Sequence, residues 1–308
     1  MRYDDFRRSD DIEDRRDDGG MMGGGGGIGL PMGGGGLGIG TLIVLGLIGY
    51  AFGIDPRILI GGAEILSGGS QAPSYQSDRK AGKTGAPTDE MGSMIAGILG
   101  EIDDRWSEEF QKRGQNYVGP KIVLFRNATN GGRCGMAQAA MGPFYCPPDQ
   151  RIFLDTGFFR EVETRFRGCS GSACKFTAAY IIAHEAGHHV QNLLGVIPRV
   201  TRLQQQAGSK AEANALQVRV ELQADCLAGV WVNREAKKRP NFLEPGDIDA
   251  ALTTASAIGD DTLQRQATGR VVPDSFTHGS AAQRKQWFMT GYQQGTLEAC
   301  NTFSNASL

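Results

Sequence analysis

The stretch from Thr177 to Gln191 restricts this chain more than any other, because it places His184-Glu185-Ala-Gly-His188-His189-Val190-Gln191 directly behind the apolar run Tyr180, Ile181, Ile182. Such a segment is predicted to be a helix buried against a sheet. Residues four apart on a helix lie one above the other, so His184 and His188 can offer imidazole nitrogens to one metal ion. Glu185 is one step further round and can reach a water on that ion without occupying a ligand position. A metal-activated water with a general base needs this arrangement. Gly187 is the one weak helix former here, and its missing side chain leaves room for another element to approach. An amphipathic helix whose histidines merely hydrogen-bond in a core would show the same spacing, so the rest of the chain has to decide.

A catalytic zinc takes three protein ligands and keeps a position open, so one more donor is needed downstream. His189 points about 100° away from His188 and is a poor choice. The segment Glu221-Leu-Gln-Ala-Asp225 is a better one, since Glu221 and Asp225 again share a helical face. Glu221 can bind the metal while Asp225 accepts the remaining N–H of a ligand histidine and fixes its tautomer. A carboxylate pair on a helix is ordinarily a solvated face. Here Leu222, Ala224, Leu227, Ala228, Val230 and Trp231 surround it, and buried carboxylates require partners.

The first part of the chain reads differently. Residues 1–18 carry thirteen charges, Arg and Asp intermixed, and are predicted to be a solvated, disordered tail. Gly19 to Gly40 contains fourteen glycines and reads as a flexible spacer. Leu37 to Ile54 has no charge and is predicted to cross a membrane once. Five arginines precede it and only Arg57 follows closely, which puts the N-terminus in the cytoplasm and the bulk of the chain in the periplasm or outside. The expected organisation is therefore a charged and Gly-rich tail over 1–36, a transmembrane helix over 37–54, a linker over 55–88 and one domain over 89–308.

Within that domain, Met91, Ile95, Ile98, Leu99, Ile102, Trp106 and Phe110 recur at three and four, predicting a helix that ends at Gly114. Lys121–Arg126 and Arg151–Asp155 read as short strands, with a helix near Phe158–Phe166. Further helices are expected over 210–237, 245–266 and 280–294. Many helices with a small sheet make an α+β domain. The six cysteines, Cys134, Cys146, Cys169, Cys174, Cys226 and Cys300, all follow the apolar run. Proximity favours Cys134–Cys146 and Cys169–Cys174, leaving Cys226–Cys300, and no Cys-x-x-Cys spacing supports a zinc cluster instead. Disulfides imply an oxidising compartment. A net charge of −2 gives no reason to expect nucleic acid, and the sequence leaves the oligomeric state open.

Taken together, His184-Glu-x-x-His188 followed by Glu221-x-x-Ala-Asp225 resembles the gluzincin metallopeptidases: thermolysin in its ligand set, and the membrane-associated prenyl-protein and heat-shock peptidases in the second motif. The chain is more closely similar to the bacterial neutral zinc metallopeptidase family. The resemblance rests on the N-terminal apolar span, Arg133-Cys134-Gly135, Gly142-Pro-Phe-Tyr-Cys146-Pro147, His184 through Gln191, Glu221 through Trp231, and Thr277-His278-Gly279-Ser280. It implies a zincin-like peptidase domain, one Zn²⁺ per chain held by His184, His188 and Glu221, Glu185 as base, and a peptide or protein substrate. Thr277-His278 with Arg284 is similar to the Thr-His-Pro…Arg segment of the membrane gluzincins, with Gly279 in place of Pro. That likeness implies that His278, aided by Tyr145 or Arg284, stabilises the oxyanion, although a histidine beside a helix start can also simply cap it. The strand at Arg151–Asp155 is expected to offer its edge to an extended substrate. Two other readings are a non-catalytic envelope protein stapled by its metal and a metal-dependent hydrolase of a non-peptide bond. An intact Glu185 argues against the first, and only substrates separate the second.

Overall fold

Apolar residues recurring every three or four positions fold as helix α1 (Glu90–Lys112), which starts where the Asp89 side chain accepts the Gly92 N–H. This is a computed structural model, and it describes residues 1–18, 82–164, 169 and 173–304. The apolar run at 37–54, the Gly-rich stretch and most of the predicted linker lie outside the described residues. Among the described residues no helix is long and apolar enough to cross a membrane.

Strands β1 (Ile12–Asp14), β2 (Lys83–Thr84) and β3 (Lys121–Phe125) precede a small hairpin of β4 (Ala128–Asn130) and β5 (Met136–Gln138), and then β6 (Phe144–Cys146) and β7 (Arg151–Asp155). The main sheet runs in the order β2-β1-β3-β7-β6, with β1, β3 and β7 parallel and both outer strands antiparallel. Strand side chains alternate between faces. Ile122, Leu124, Ile152 and Leu154 therefore join the main helical core, and Val123, Phe125 and Phe153 form a smaller cluster with Ala137 and Cys146.

The helices that follow are α2 (Phe158–Thr164), α3 (Ala173–Leu193), α4 (Val196–Gln206), α5 (Lys210–Lys238), α6 (Asp247–Ala257), α7 (Asp260–Thr268) and α8 (Ala281–Gln294). The expected α+β class holds, with a mainly helical domain and a small sheet. The single helix expected over 245–266 is two. The chain breaks at Ile258-Gly259, and Gly259 becomes the N-cap of α7. Helix α8 begins with a capping box in which Ser280 and Gln283 satisfy each other's backbone N–H. The three disulfides are Cys134–Cys146, Cys169–Cys174 and Cys226–Cys300, the pairing expected from proximity. The last ties the end of the chain to α5 across 74 residues.

The structure corrects the reading of residues 1–18, which are part of the domain. Met1, Phe6 and Ile12 are buried in the main core, and β1 pairs with β3 through Ile12–Ile122, Glu13–Val123 and Asp14–Leu124. The segment lies on the glycines of α1. Ser9 N–H bonds Ala96 O, and a side chain at Gly100 would overlap the Arg7 carbonyl. The charges suggested solvation because several of their partners are remote in sequence: Arg7 pairs with Asp104, and Arg16 with Asp89 as well as its neighbour Asp14. A strand hydrogen-bonded inside the sheet must share its side of any membrane with the domain. This overturns the expected topology, with residues 1–18 in the cytoplasm and the domain opposite.

Candidate metal centre

Helix α3 carries His184 and His188 on one face, and α5 crosses it at Gly187. A Cβ at Gly187 would lie 3.1 Å from Ala224 O, so a larger residue would push the helices apart. This close crossing brings Glu221 to the histidines. Glu221 Oε2 lies 3.2 Å from His184 Nε2 and 3.4 Å from His188 Nε2, and one donor atom from each of the three residues lies within 4.8 Å of the others.

The outer nitrogens decide the tautomers. His184 Nδ1 faces Asp225 Oδ1 at 2.8 Å, and a carboxylate only accepts, so Nδ1 carries the hydrogen. His188 Nδ1 faces Gln191 Oε1 at 2.8 Å, and the Gln191 amide nitrogen donates to Val220 O and Gln223 Oε1. In the neutral rings both Nε2 lone pairs therefore point at a carboxylate oxygen. Three converging lone pairs repel unless positive charge sits between them, and two imidazoles plus one carboxylate are a donor set that zinc accepts. The protonation energetics say the same. Burial opposes charge on both histidines, but Asp225 and Glu221 outweigh it, raising His184 to about 10 and His188 above its ordinary value. Burial likewise opposes charge on Glu221, yet the histidines hold it well below the carboxylate range. The residues present fit a zinc ion.

Asp225 is fully buried and saturated. Tyr180 OH donates to Oδ1 at 2.6 Å, while Arg284 spans both oxygens from Nε at 2.8 Å and Nη2 at 2.9 Å. Arg284 was a candidate oxyanion partner, but its guanidinium is 3% exposed and committed to Asp225 and Tyr180. It braces the ligand shell. Tyr145, the other candidate, bonds His189 Nδ1 at 2.9 Å and accepts from Asn192. His189 Nε2 donates to Val118 O, so His189 is a buried structural residue whose pKa burial depresses to about 4. It is no ligand, as its helical angle implied.

Glu185 is 7% exposed beside the ligands, and its carboxylate has no hydrogen bond or ion pair among the described residues. His278 is held by Asp260, whose Oδ1 lies 3.2 Å from Nδ1 and whose Oδ2 accepts the N–H groups of Thr277, His278 and Gly279. Burial opposes charge on His278 and Asp260 restores it, so its pKa lies above the ordinary value. The charge of His278 also helps depress Glu221, which places the ring within electrostatic reach of the metal donors. Asp260 had no signal in the sequence, because it stands eighteen residues before its partner. Gln191 and Gln217 did have one, at helical spacing from His188 and Glu221.

Two helix-borne imidazoles, a carboxylate from a second helix and an adjacent uncommitted glutamate define the mononuclear zinc-peptidase class of site. The chain belongs to the family described as "Putative neutral zinc metallopeptidase", whose pattern matches residues 1–303. The uncharacterized protein YpfJ of Escherichia coli (strain K12) is 44% identical over 307 residues, covering 99% of this chain and 100% of the relative. The uncharacterized protein Mb2605 of Mycobacterium bovis is 40% identical over 266 residues, covering 83% of this chain and 85% of the relative. No solved structure matches.

Proposed function

We propose that this domain is a zinc-dependent peptidase that hydrolyses peptide bonds with Glu185 as general base. The observation that carries the reading is Glu185, buried beside three convergent metal donors yet bonded to none of the described groups. Zinc bound by His184, His188 and Glu221 would supply a water acidified toward a pKa of ~7. Glu185 accepts the proton of that water and returns it to the leaving amine. His278, whose charged form Asp260 favours against burial, donates to the oxygen on which negative charge develops. Asp225, clamped by Arg284 and Tyr180, holds the His184 ring in the tautomer that exposes Nε2.

The expected substrate-pairing edge also changes. Strand β7 has β3 along its whole length on one side and β6 against Arg151, Ile152 and Phe153 on the other, so most of Arg151–Asp155 has no edge to offer. One end of the described sheet is β6, and its Tyr145 reaches the metal-bearing helix through His189 and Asn192. An extended peptide would pair with β6.

The three disulfides suit an oxidising, extracytoplasmic compartment. We place the whole described domain there, residues 1–18 included. Attachment to the membrane would fall to the apolar run 37–54. The functional test is zinc content and hydrolysis measured on the same purified sample, with unstructured peptides and simple esters offered side by side. Peptide cleavage that disappears on chelation and returns with zinc supports the reading. Ester cleavage alone would replace it with hydrolysis of a non-peptide bond.

A further inference from the structure

The metal-facing stripe of α5 begins one turn before its ligand. Gln217, Glu221 and Asp225 are each four residues apart, so they share one face. Gln217 Nε2 donates to Glu221 Oε1 at 2.8 Å, whereas Oε2 is the oxygen directed at both imidazole nitrogens. The two oxygens of one carboxylate are thus given different tasks. Chemistry fixes the amide orientation, because a carboxylate can only accept and Gln217 must turn its NH₂ toward it. The Gln217 carbonyl then faces the other way and accepts from Gln204 Nε2 at 3.2 Å. Gln204 stands on α4, and the same amide nitrogen bonds Ala213 O at 3.2 Å, which ties α4 to the start of α5.

We propose that Gln217, braced by Gln204, is a positioning residue that confines Glu221 to ligation through Oε2 alone. The inference rests on the zinc reading of this site. A carboxylate can bind a metal through one oxygen or both. A hydrogen bond already occupying Oε1 opposes the second mode, and a coordination position then stays open for water. Groups that orient metal ligands in this way typically change affinity ~10–100-fold when removed.

The test uses the full chain with Gln217→Met, which keeps length and loses the donor, and Gln204→Met, which removes only the brace. Zinc affinity is measured by chelator competition, and the visible absorption of the cobalt-loaded protein reports coordination number, weakening as a further ligand enters. Gln217→Met is expected to lose ~10–100-fold in zinc affinity and to show the weaker spectrum, with unfolding of the metal-free protein unchanged. Gln204→Met should shift both readouts in the same direction by less. Wild-type affinity and spectrum in a folded Gln217→Met protein would overturn the proposal, and if that variant fails to fold, an unchanged spectrum in Gln204→Met would do so. Wild-type protein that binds one zinc but cleaves no peptide counts against the peptidase reading alone, since affinity and spectrum still decide the role of Gln217. Wild-type protein that holds no zinc overturns both.

Discussion

The metal-bearing helix pair and the docked segment 1–18 are both crowded with ionisable groups, yet they handle charge in opposite ways. Between α3 and α5 the charges are buried and few, and all but Glu185 have a stereochemically defined partner. Asp225 alone accepts from His184, Tyr180 and Arg284. In the N-terminal segment the charges are many and mixed: Arg7 and Asp104 are both substantially exposed in their pair, whereas Arg15–Glu13 and Arg16–Asp14 are largely enclosed. Beneath them Met1, Phe6 and Ile12 enter the core. Buried charge is costly unless matched, so the site tolerates little substitution. An exposed ion pair such as Arg7–Asp104 contributes little, so around it the segment should be held mainly by its apolar anchors.

The sharpest way to break this comparison is at the base itself. Glu185→Gln should keep about one zinc per chain and a normal fold while losing ~10²–10⁴-fold in turnover. His188→Ala and Glu221→Ala should lose the metal as well. Zinc missing from the Glu185→Gln protein would show that base and ligand are exchanged, and full turnover would remove the peptidase centre from this site.

Next in size is the buried clamp. Arg284→Met leaves the Asp225 carboxylate without its charge partner, and is expected to cost ~3–5 kcal/mol of stability and ~10–100-fold in zinc affinity. Denaturant unfolding and chelator competition measure the two. A variant with wild-type zinc affinity would mean that Asp225 orients His184 without the Arg284 clamp.

The segment should respond in the reverse pattern. Phe6→Ala is expected to cost ~3 kcal/mol by leaving a cavity, whereas Arg7→Ala should cost less than ~1 kcal/mol. Neither should alter zinc affinity. If Arg7→Ala proved the more damaging, the docking would be electrostatic and the contrast between the two regions would fail.

A pH effect acts at the same docking surface. Asp103 lies on α1 beneath the segment, and burial raises its pKa from 3.8 to about 7, although Tyr117 donates to it. Below its ordinary pKa the folded and unfolded states bind the same proton. As pH rises, the unfolded chain releases that proton first, so the contribution of Asp103 to stability falls between about pH 4 and pH 7 and is level above that. Asp103→Asn should flatten this part of the stability–pH curve. An unchanged slope would assign the pH dependence to another group.

How legible each region was follows from how far apart its partners stand in the chain. His184, Glu185 and His188, and then Glu221 and Asp225, repeat at four because one helical turn brings them together, so the sequence by itself determined the two halves of the site. It also determined α1, β3, β7 and the disulfide pairs close in the chain. Only the tertiary structure decided the crossing of α3 over α5 at Gly187, the use of Arg284 as a clamp on Asp225, and the pairing of Asp260 with His278. These contacts join residues eighteen to fifty-nine positions apart, with no period to announce them. The same holds for residues 1–18. Their composition describes a soluble tail, and they became a strand because α1 offers glycines where Arg7 and Ser9 must pass and acids where the arginines arrive. Local periodicity reports which residues share a face, whereas the partner that a face meets is set by packing across the whole chain.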